Sequence, residues 1–321
     1  MSILITGAAG FIGFHLSNHL IKKNIKNIVA VDNFNSYYDI KLKKDRKSHL
    51  DKNISFVKLD LKNLSKLKAI FKKYNFKKVV HLAAQPGVRY SLLNPKAYFD
   101  NNLLAFYNLI EASRQFKVKH FIYASSSSVY GNTKKHPLKE NFNTNKPISF
   151  YATTKKCNEL IADSYHLNFN LRCTGLRFFT VYGPYGRPDM SAYKFVNNIL
   201  KNKKINVFNK GSHARDFTYI DDAVDAIYKI IKSKKNNNHE IYNIGSGNPI
   251  SLKTYIFEIE KHLGKKSKKK FYELQKGDVL KTFSDITKIK KKYNYKPKIG
   301  LGDGLKNYIK WFKSFYKIDK K

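Results

Sequence analysis

Ile3-Leu4-Ile5-Thr6-Gly7-Ala8-Ala9-Gly10-Phe11-Ile12-Gly13 is the stretch that decides the fold. A short apolar run precedes three glycines with two residues between each, and an amphipathic segment follows. Between a strand and a helix, Gly7 permits a tight turn, Gly10 lets the backbone approach a pyrophosphate, and Gly13 lets helix and strand pack closely. The free N–H groups at the start of the helix favour a bound phosphate. We therefore predict that this loop binds a dinucleotide.

The second predicted strand ends in a carboxylate, Asp32, about 20 residues beyond the glycines, where an acidic side chain binds the ribose hydroxyls of adenosine. A carboxylate at this place repels a 2′-phosphate, so the sequence favours NAD over NADP. Basic residues nearby keep NADP open as an alternative; they are Lys41, Lys43, Lys44 and Arg46.

Strands and helices alternate regularly through the first half of the chain. Apolar runs predict strands over 3–5, 27–31, 54–57, 78–81, 120–124 and 172–176, and amphipathic periods predict helices over 11–23, 63–74, 95–116 and 150–169. This order predicts an α/β fold, a Rossmann-type doubly wound parallel sheet with a smaller C-terminal α/β substrate-binding domain. We assign 1–178, with 220–247 returning, to the NAD-binding domain, and 179–219 and 248–321 to the second domain. The final helix is predicted near 305–315.

The composition is strongly basic, with 62 Lys+Arg against 23 Asp+Glu and a formal charge of +39 over 321 residues. A polyanionic partner such as nucleic acid is one reading, but the lysines are scattered, and the densest run, 265–270, is short. Solvated faces therefore explain the charge better than nucleic-acid binding. No stretch of about 18 apolar residues predicts a membrane span. Cys157 and Cys173 lie far from any metal-ligand spacing, which predicts a reduced, cytoplasmic chain without a metal.

A second group of residues indicates catalysis. Tyr151 and Lys155 stand four apart, so a helix places them on one face. A tyrosine titrates near 10, and an adjacent ammonium and a nicotinamide cation would favour its phenolate. Tyr151 could then remove a hydroxyl proton while hydride leaves the same carbon. Ser126 lies in the serine run 125–128 that ends the fifth predicted strand, at the edge where ligands bind such sheets.

These motifs, in this order, resemble those of the extended short-chain dehydrogenase/reductases, and among them the nucleotide-sugar epimerases, above all the UDP-glucuronate 4-epimerases. The resemblance runs from the first strand to the final helix. Four segments carry it most specifically: 32–39, 81–91, 177–190 and 277–279.

The resemblance implies a role for each matching residue. The catalytic residues are Ser126, Tyr151 and Lys155. The implied NAD contacts are Gly7, Gly10, Phe11, Ile12, Gly13, Asp32, Asn33, Asp60, Leu61, Ala83, Ala84, Asn101, Tyr151, Lys155 and Phe178. The predicted substrate contacts are Arg89, Ser126, Ser127, Tyr151, Thr180, Arg187, Arg215 and Asp278, of which Arg215 and Asp278 match contacts to the nucleotide diphosphate.

Arg187 matches the arginine that receives the sugar carboxylate in uronate epimerases, and a guanidinium binds a carboxylate through two parallel hydrogen bonds. Gln275 stands where galactose-type epimerases carry an arginine, which favours an acidic sugar. Ser127 and Ser128 stand where related dehydratases carry an Asp-Glu pair, which argues against dehydration. Related decarboxylases carry a Glu at the place of Ser128, which argues less strongly against decarboxylation. The expected reaction is therefore C4 epimerisation of UDP-glucuronate to UDP-galacturonate through a 4-keto sugar.

Alternatives remain within the same fold and outside it. A UDP-hexose 4-epimerase or a UDP-glucuronate decarboxylase would use the same catalytic residues. A protein of another class would bind a dinucleotide or nucleic acid without catalysis. The resemblance also implies a homodimer through helices 95–116 and 150–169, for which the apolar candidates are Leu103, Leu104, Tyr107, Leu160 and Ile161.

Overall fold

The structure of the protein is a computed structural model that describes residues 2–233, 238–273 and 279–318. The strands are β1 (Ile3–Thr6), β2 (Ile28–Asp32), β3 (Ser55–Lys58), β4 (Lys78–His81), β5 (His120–Ser126), β6 (Cys173–Phe178), β7 (Thr180–Tyr182), β8 (Ile205–Phe208), β9 (Ala214–Tyr219), β10 (Glu240–Ile244), β11 (Pro249–Ser251), β12 (Lys269–Tyr272) and β13 (Lys281–Thr282).

The helices are α1 (Phe11–Lys22), α2 (Ile40–Ser48), α3 (Leu64–Tyr74), α4 (Tyr90–Leu93), α5 (Pro95–Tyr98), α6 (Ala105–Gln115), α7 (Phe150–Phe169), α8 (Ser191–Leu200), α9 (Ile220–Lys232), α10 (Leu252–Leu263), α11 (Thr287–Tyr293) and α12 (Leu301–Phe315). Phe99–Leu104 is a π-helical segment between α5 and α6, and Ser127–Tyr130 is a 3₁₀ turn after β5. None of the helices in the described ranges is long and apolar enough to cross a membrane.

Seven parallel strands form the main sheet in the order β10-β6-β5-β4-β1-β2-β3. The order reverses direction between β1 and β4, and ligands bind such sheets at this switch point, beyond the carboxyl ends of the strands. The predicted fold class, a doubly wound parallel sheet, is confirmed by this topology. The glycine loop after β1 and the serine run at the end of β5 therefore reach the same edge.

Alternate residues of the central strands pack into separate cores on the two faces of the sheet. Ile3 and Ile5 belong to the core that continues beneath α9 and α12, whereas Leu4 belongs to the core beneath α3 and α6. All three are fully buried. Because successive strand residues point to opposite faces, an apolar run buried on both faces is what a central parallel strand requires.

The second half of the chain supplies a smaller sheet in which β9 pairs with β7, β11 and β13. Within this half, β10 pairs with β6 in the main sheet, and α9 packs against α1. The division into 1–178 with 220–247, and 179–219 with 248–321, stays a prediction.

Two segments differ from the sequence-based expectation. The helix expected over 95–116 is interrupted by the π-helical turn of Phe99–Leu104, and α2 was not predicted at all. The hydrophobic period did not predict α2 because two of the buried residues of this helix, Lys43 and Arg46, are basic. Their burial depends on specific hydrogen bonds, which an apolar period does not record.

Candidate active site

The glycine loop has the geometry that brings its backbone close to a bound phosphate. Gly7 has φ +70°, and a Cβ added there would lie 2.6 Å from the Ala83 nitrogen. A Cβ at Gly13 would lie 2.2 Å from the Gly7 carbonyl oxygen. Larger residues at either position would force the loop, α1 and the strand end apart. The residues present therefore fit a dinucleotide whose pyrophosphate rests on the start of α1.

The adenosine side of the cleft contains two carboxylates that follow β2 and β3. Asp32 is buried and accepts hydrogen bonds from the Ala9 N–H (3.0 Å) and the Phe34 N–H (2.8 Å). Asp60 accepts one from the Asn33 amide at 3.2 Å. The Asp32 carboxylate thus ties the end of β2 to the glycine loop.

Four basic residues made NADP an alternative cofactor in the sequence. In the structure two of them form hydrogen bonds within the chain, and the other two are exposed on α2. Lys43 is buried and its Nζ donates to the Asn35 carbonyl (2.8 Å) and side-chain oxygen (2.6 Å). Lys41 and Lys44 are exposed on α2, and Arg46 is directed towards backbone carbonyls. This arrangement favours NAD.

One cleft contains every residue predicted to contact NAD. Its lining includes the glycines with Phe11 and Ile12, Asp32, Asn33, Asp60, Leu61, Ala83, Ala84, Asn101, Phe178, Tyr151 and Lys155. Asn101 lies in the π-helical turn, where its side-chain amide donates to the Ala97 carbonyl at 2.7 Å. π-helical turns are frequent at functional sites because they displace side chains from the helical register.

The residues predicted to be catalytic meet where β5 ends and α7 begins. Ser149 caps α7, its Oγ accepting from the Ala152 N–H at 3.2 Å, and the first turns of α7 carry Tyr151 and Lys155 into the cleft. The Lys155 ammonium donates to the Ala124 carbonyl at 2.8 Å. Ser126 Oγ accepts from the Ser128 hydroxyl at 2.9 Å. The hydroxyl of Ser126, the phenol and the ammonium therefore face one volume.

The electrostatics of Tyr151 differ in part from the sequence-based expectation. Burial raises the pKa of Tyr151, while the Ser126 hydroxyl and the Arg187 charge lower it. Burial also lowers the pKa of Lys155 to about 8. Among the charged side chains, Arg187 is thus the cation that opposes the effect of burial on the tyrosine pKa. The sequence had predicted this effect from the Lys155 ammonium, together with a bound nicotinamide cation. Lys155 donates to a strand carbonyl instead.

Arg187 lines the same cleft as Tyr151 but already holds a carboxylate of its own chain. Its Nε and Nη2 donate to Asp189 Oδ1 (2.9 Å) and Oδ2 (2.8 Å), and Tyr37 OH lies 3.4 Å from Asp189 Oδ2. Burial opposes both charges, but the pairing keeps the pKa of Asp189 below its usual value. A guanidinium has five N–H donors, so the Nη1 edge stays available to a second anion.

The other predicted substrate contacts lie outside this cleft or outside the described residues. Thr180 lines a smaller neighbouring cavity that Arg187 also borders. The Arg89 guanidinium lies over the Phe208 ring (5.4 Å), and Arg215 Nη1 donates to the Ala214 (3.0 Å) and Leu280 (3.2 Å) carbonyls. Ser127 begins the 3₁₀ turn after β5. Asp278 and Gln275 fall outside the described residues.

Several residues of the cleft were not predicted from the sequence. Tyr37, Tyr38 and Met190 line it, and Asp189 pairs with Arg187. The acid two residues after Arg187 was a signal that could have revealed the pair. In the described part of the chain, no cluster of His, Cys, Asp and Glu is suited to a metal ion.

Comparison with known proteins shows the family to which the chain is related. Residues 3–245 match the model of the NAD dependent epimerase/dehydratase family. The chain is 48% identical over 315 residues to an uncharacterized protein of Methanocaldococcus jannaschii, covering 97% of this chain and 96% of that one. It is 43% identical over 313 residues to a UDP-glucuronate 4-epimerase of Thermodesulfobacterium geofontis, covering 97% and 95%. The solved UDP-glucuronic acid 4-epimerase from Bacillus cereus, in complex with UDP-glucuronic acid and NAD, matches with a TM-score of 0.93 and 36% identity, covering 98% of this chain and 100% of that one.

Proposed function

The chain belongs to the NAD-dependent epimerase/dehydratase family, and we propose that it interconverts UDP-glucuronate and UDP-galacturonate by epimerisation at C4 with tightly bound NAD. Relatives over the whole length are UDP-glucuronate 4-epimerases. The observation that carries the proposal is the meeting of Ser126, Tyr151, Lys155 and Arg187 in the cleft that also contains the glycine loop.

Each side chain has a definite task in this reaction. When bound, NAD supplies a reversible acceptor for the hydride at C4. Tyr151 takes the proton of the 4-hydroxyl as the hydride leaves, and returns it when the hydride is delivered to the opposite face of the 4-keto sugar. Ser126 is fixed by its hydrogen bond with Ser128 and can hydrogen-bond O4 in both orientations. Lys155 is held at 2.8 Å from the Ala124 carbonyl and presents its remaining donors to the cofactor ribose.

The proposed uronate specificity rests on Arg187. Its fork is fixed by Asp189, and its remaining N–H groups can receive the C5 carboxylate. The Arg187–Asp189 pair is nevertheless neutral as a unit, which favours a neutral UDP-hexose as the second candidate substrate. An Arg187→Ala variant separates the two substrates. We expect it to lose activity on UDP-glucuronate and to keep activity on UDP-glucose, whereas equal losses on both would remove Arg187 as the carboxylate receptor.

The reaction in deuterated water tests the chemistry itself. A hydride that is stored on the bound cofactor returns to the carbon it left, so C4 and C5 of the product should carry only protium by NMR. Deuterium at C5 would indicate that the 4-keto sugar enolises before it is reduced, and deuterium at C4 would exclude direct hydride return.

A homodimer is the finer part of the proposal. Leu104, Tyr107 and Leu160, named among the dimer candidates, are exposed on the π-helical segment, α6 and α7. Exposed apolar side chains on neighbouring helices fit a second copy of the chain. We expect light scattering to give twice the chain mass, and Leu160→Glu to shift it towards the monomer.

Cys157 and Cys173 are free thiols, which fits the cytoplasm.

A further inference from the structure

A buried positive charge lies behind the glycine loop. Arg46 on α2 has no exposed surface. Its guanidinium donates to the Ala9 carbonyl (Nη1, 3.0 Å), the Tyr38 hydroxyl (Nη1, 2.6 Å) and the Tyr185 carbonyl (Nη2, 2.7 Å; Nε, 3.2 Å). None of the carboxylates in the described ranges forms an ion pair with it, although buried charges are normally paired. Hydrogen bonds to two carbonyls and one phenol compensate for its burial instead.

The carbonyls that Arg46 joins belong to two different loops of the cleft. Ala9 lies in the glycine loop, between Gly7 and Gly10. Tyr185 lies in the loop 183–189, which ends with Arg187, Pro188 and Asp189. These loops are more than 170 residues apart in sequence, and one side chain of α2 connects them.

The conformation of Tyr185 depends on this support. It has φ +60°, a left-handed backbone that a bulky residue adopts only when its surroundings impose it. Two N–H groups of Arg46 hold its carbonyl, and its ring packs between Phe14 of α1 (4.9 Å between centroids) and Trp311 of α12 (5.0 Å). Two residues later the chain places Arg187 in the cleft.

A second hydrogen bond joins the same two parts of the cleft. The His15 ring, on α1, has its Nε2 2.8 Å from the Pro184 carbonyl. Since a carbonyl only accepts, this nitrogen carries the proton. Burial lowers the pKa of His15 to about 4, so the ring is neutral at physiological pH. The loop 183–189 is therefore attached both to the glycine loop and to the helix that follows it.

We propose that Arg46 is a positioning residue that fastens the loop carrying Arg187 to the cofactor-binding glycine loop, so that uronate recognition depends on Arg46 acting through Arg187. This inference rests on the proposed function for its substrate. It assigns no contact between Arg46 and the sugar. The buried cation behind the glycine loop also adds positive potential on the side where the pyrophosphate is expected.

The kinetic test compares Arg46→Lys with a control, Lys44→Gln, in saturating NAD. Arg46→Lys keeps the charge but cannot hold two loops with a planar fork. Lys44 is exposed on the same helix. The Lys44→Gln substitution therefore removes one positive charge from α2 and leaves the contacts of Arg46 with the two loops in place. We expect Arg46→Lys to raise KM for UDP-glucuronate roughly tenfold or more, because a misplaced binding group loses most of its effect. The KM and kcat for UDP-glucose should change less than about threefold, which is the size of effect expected of a substitution that does not contact the substrate.

The Arg187→Ala background shows whether the two arginines act together. If Arg46 works through Arg187, adding Arg46→Lys to Arg187→Ala should cause no further loss of uronate preference. Two results would overturn the proposal and make Arg46 a general structural residue. One is an equal loss of activity on UDP-glucuronate and UDP-glucose in Arg46→Lys, and the other is a further loss of uronate preference in the double variant.

Hydrogen exchange provides a test that does not need turnover. With NAD bound, the peptide covering 183–190 should exchange faster in Arg46→Lys than in the wild type and in Lys44→Gln, and the variant should retain less NAD after gel filtration. If Arg46→Lys does not fold, the wild type is compared with and without NAD, and the same peptide should be protected by the cofactor. Unchanged exchange would overturn the proposal. A wild type that epimerises no UDP-uronate would contradict the proposed function alone, since the exchange test would still decide the link between the loops.

Discussion

Glu159 and Arg177 form an ion pair beneath the proposed catalytic residues, and each side chain is only 2% exposed. Arg177 Nε and Nη2 donate to the two carboxylate oxygens at 2.8 Å, and Ser125 Oγ donates to Oε1 at 2.6 Å. Glu159 follows Lys155 by one turn of α7, and Ser125 precedes Ser126 on β5. The pair therefore joins β5, β6 and α7 under the site.

Replacing Glu159 with Leu would leave the Arg177 charge buried, with the Glu140 carbonyl (3.2 Å) and the Tyr130 ring (4.7 Å) as its remaining neighbours. Breaking a buried pair from one side costs about 3–5 kcal/mol, whereas replacing both partners by apolar residues is often nearly neutral. We expect Glu159→Leu alone to lower the free energy of unfolding by about that amount. Adding Arg177→Met should recover most of the loss.

The assay is urea unfolding at a fixed, saturating NAD concentration, because a ligand that binds only the folded state adds to its stability. The exposed pair Lys96–Asp100, in which the lysine side chain is 82% exposed, is the control. Its removal should cost at most about 1 kcal/mol. A loss below about 1 kcal/mol for Glu159→Leu, or a double variant as unstable as the sum of the singles, would refute the reasoning.

Three further outcomes follow from the site. Tyr151→Phe should lower kcat by about 10²–10⁴-fold while NAD stays bound by absorbance, since only the proton transfer is removed; retained activity would exclude Tyr151 as the acid–base. Gly13→Ala should yield protein without NAD, because its Cβ would lie 2.2 Å from the Gly7 carbonyl oxygen; a normal NAD content would contradict the close packing. Burial lowers the pKa of His81 to about 3 from 6.5, so the unfolded chain binds more protons between these values, and stability should fall as pH drops from 6.5 towards 3. The slope should be shallower in His81→Gln; an unchanged slope in this variant would exclude His81 as the group responsible.

The sheet could be predicted, and the candidate cofactor residues could be located at its edge, because their patterns are local. Each strand is a short apolar run, and the glycines are required by the backbone itself: Gly7 by its positive φ and Gly13 by the contact with the Gly7 carbonyl. Tyr151 and Lys155 follow from the helical period, and the predicted helix 150–169 has the bounds found for α7.

The missed features depend on contacts between distant segments. The partner of Arg187 is two residues away, but its pairing needs the turn that the 183–189 loop makes. Arg46 lies on a helix without an apolar stripe, and its burial results from carbonyls at Ala9 and Tyr185. The π-helical turn around Asn101 likewise interrupts an apolar period that otherwise continues. Hydrogen bonds between distant segments produce no periodic pattern in the sequence, so these features could not be predicted from it.

The most direct measurement of the central claim is proton NMR of the purified protein incubated with UDP-glucuronate and no added cofactor. We predict that the anomeric and H4 signals of UDP-galacturonate appear and grow to a constant ratio, because copurified NAD is regenerated in each turnover. A UDP-pentose with release of CO2 would contradict the account, and so would an unchanged spectrum after NAD is added.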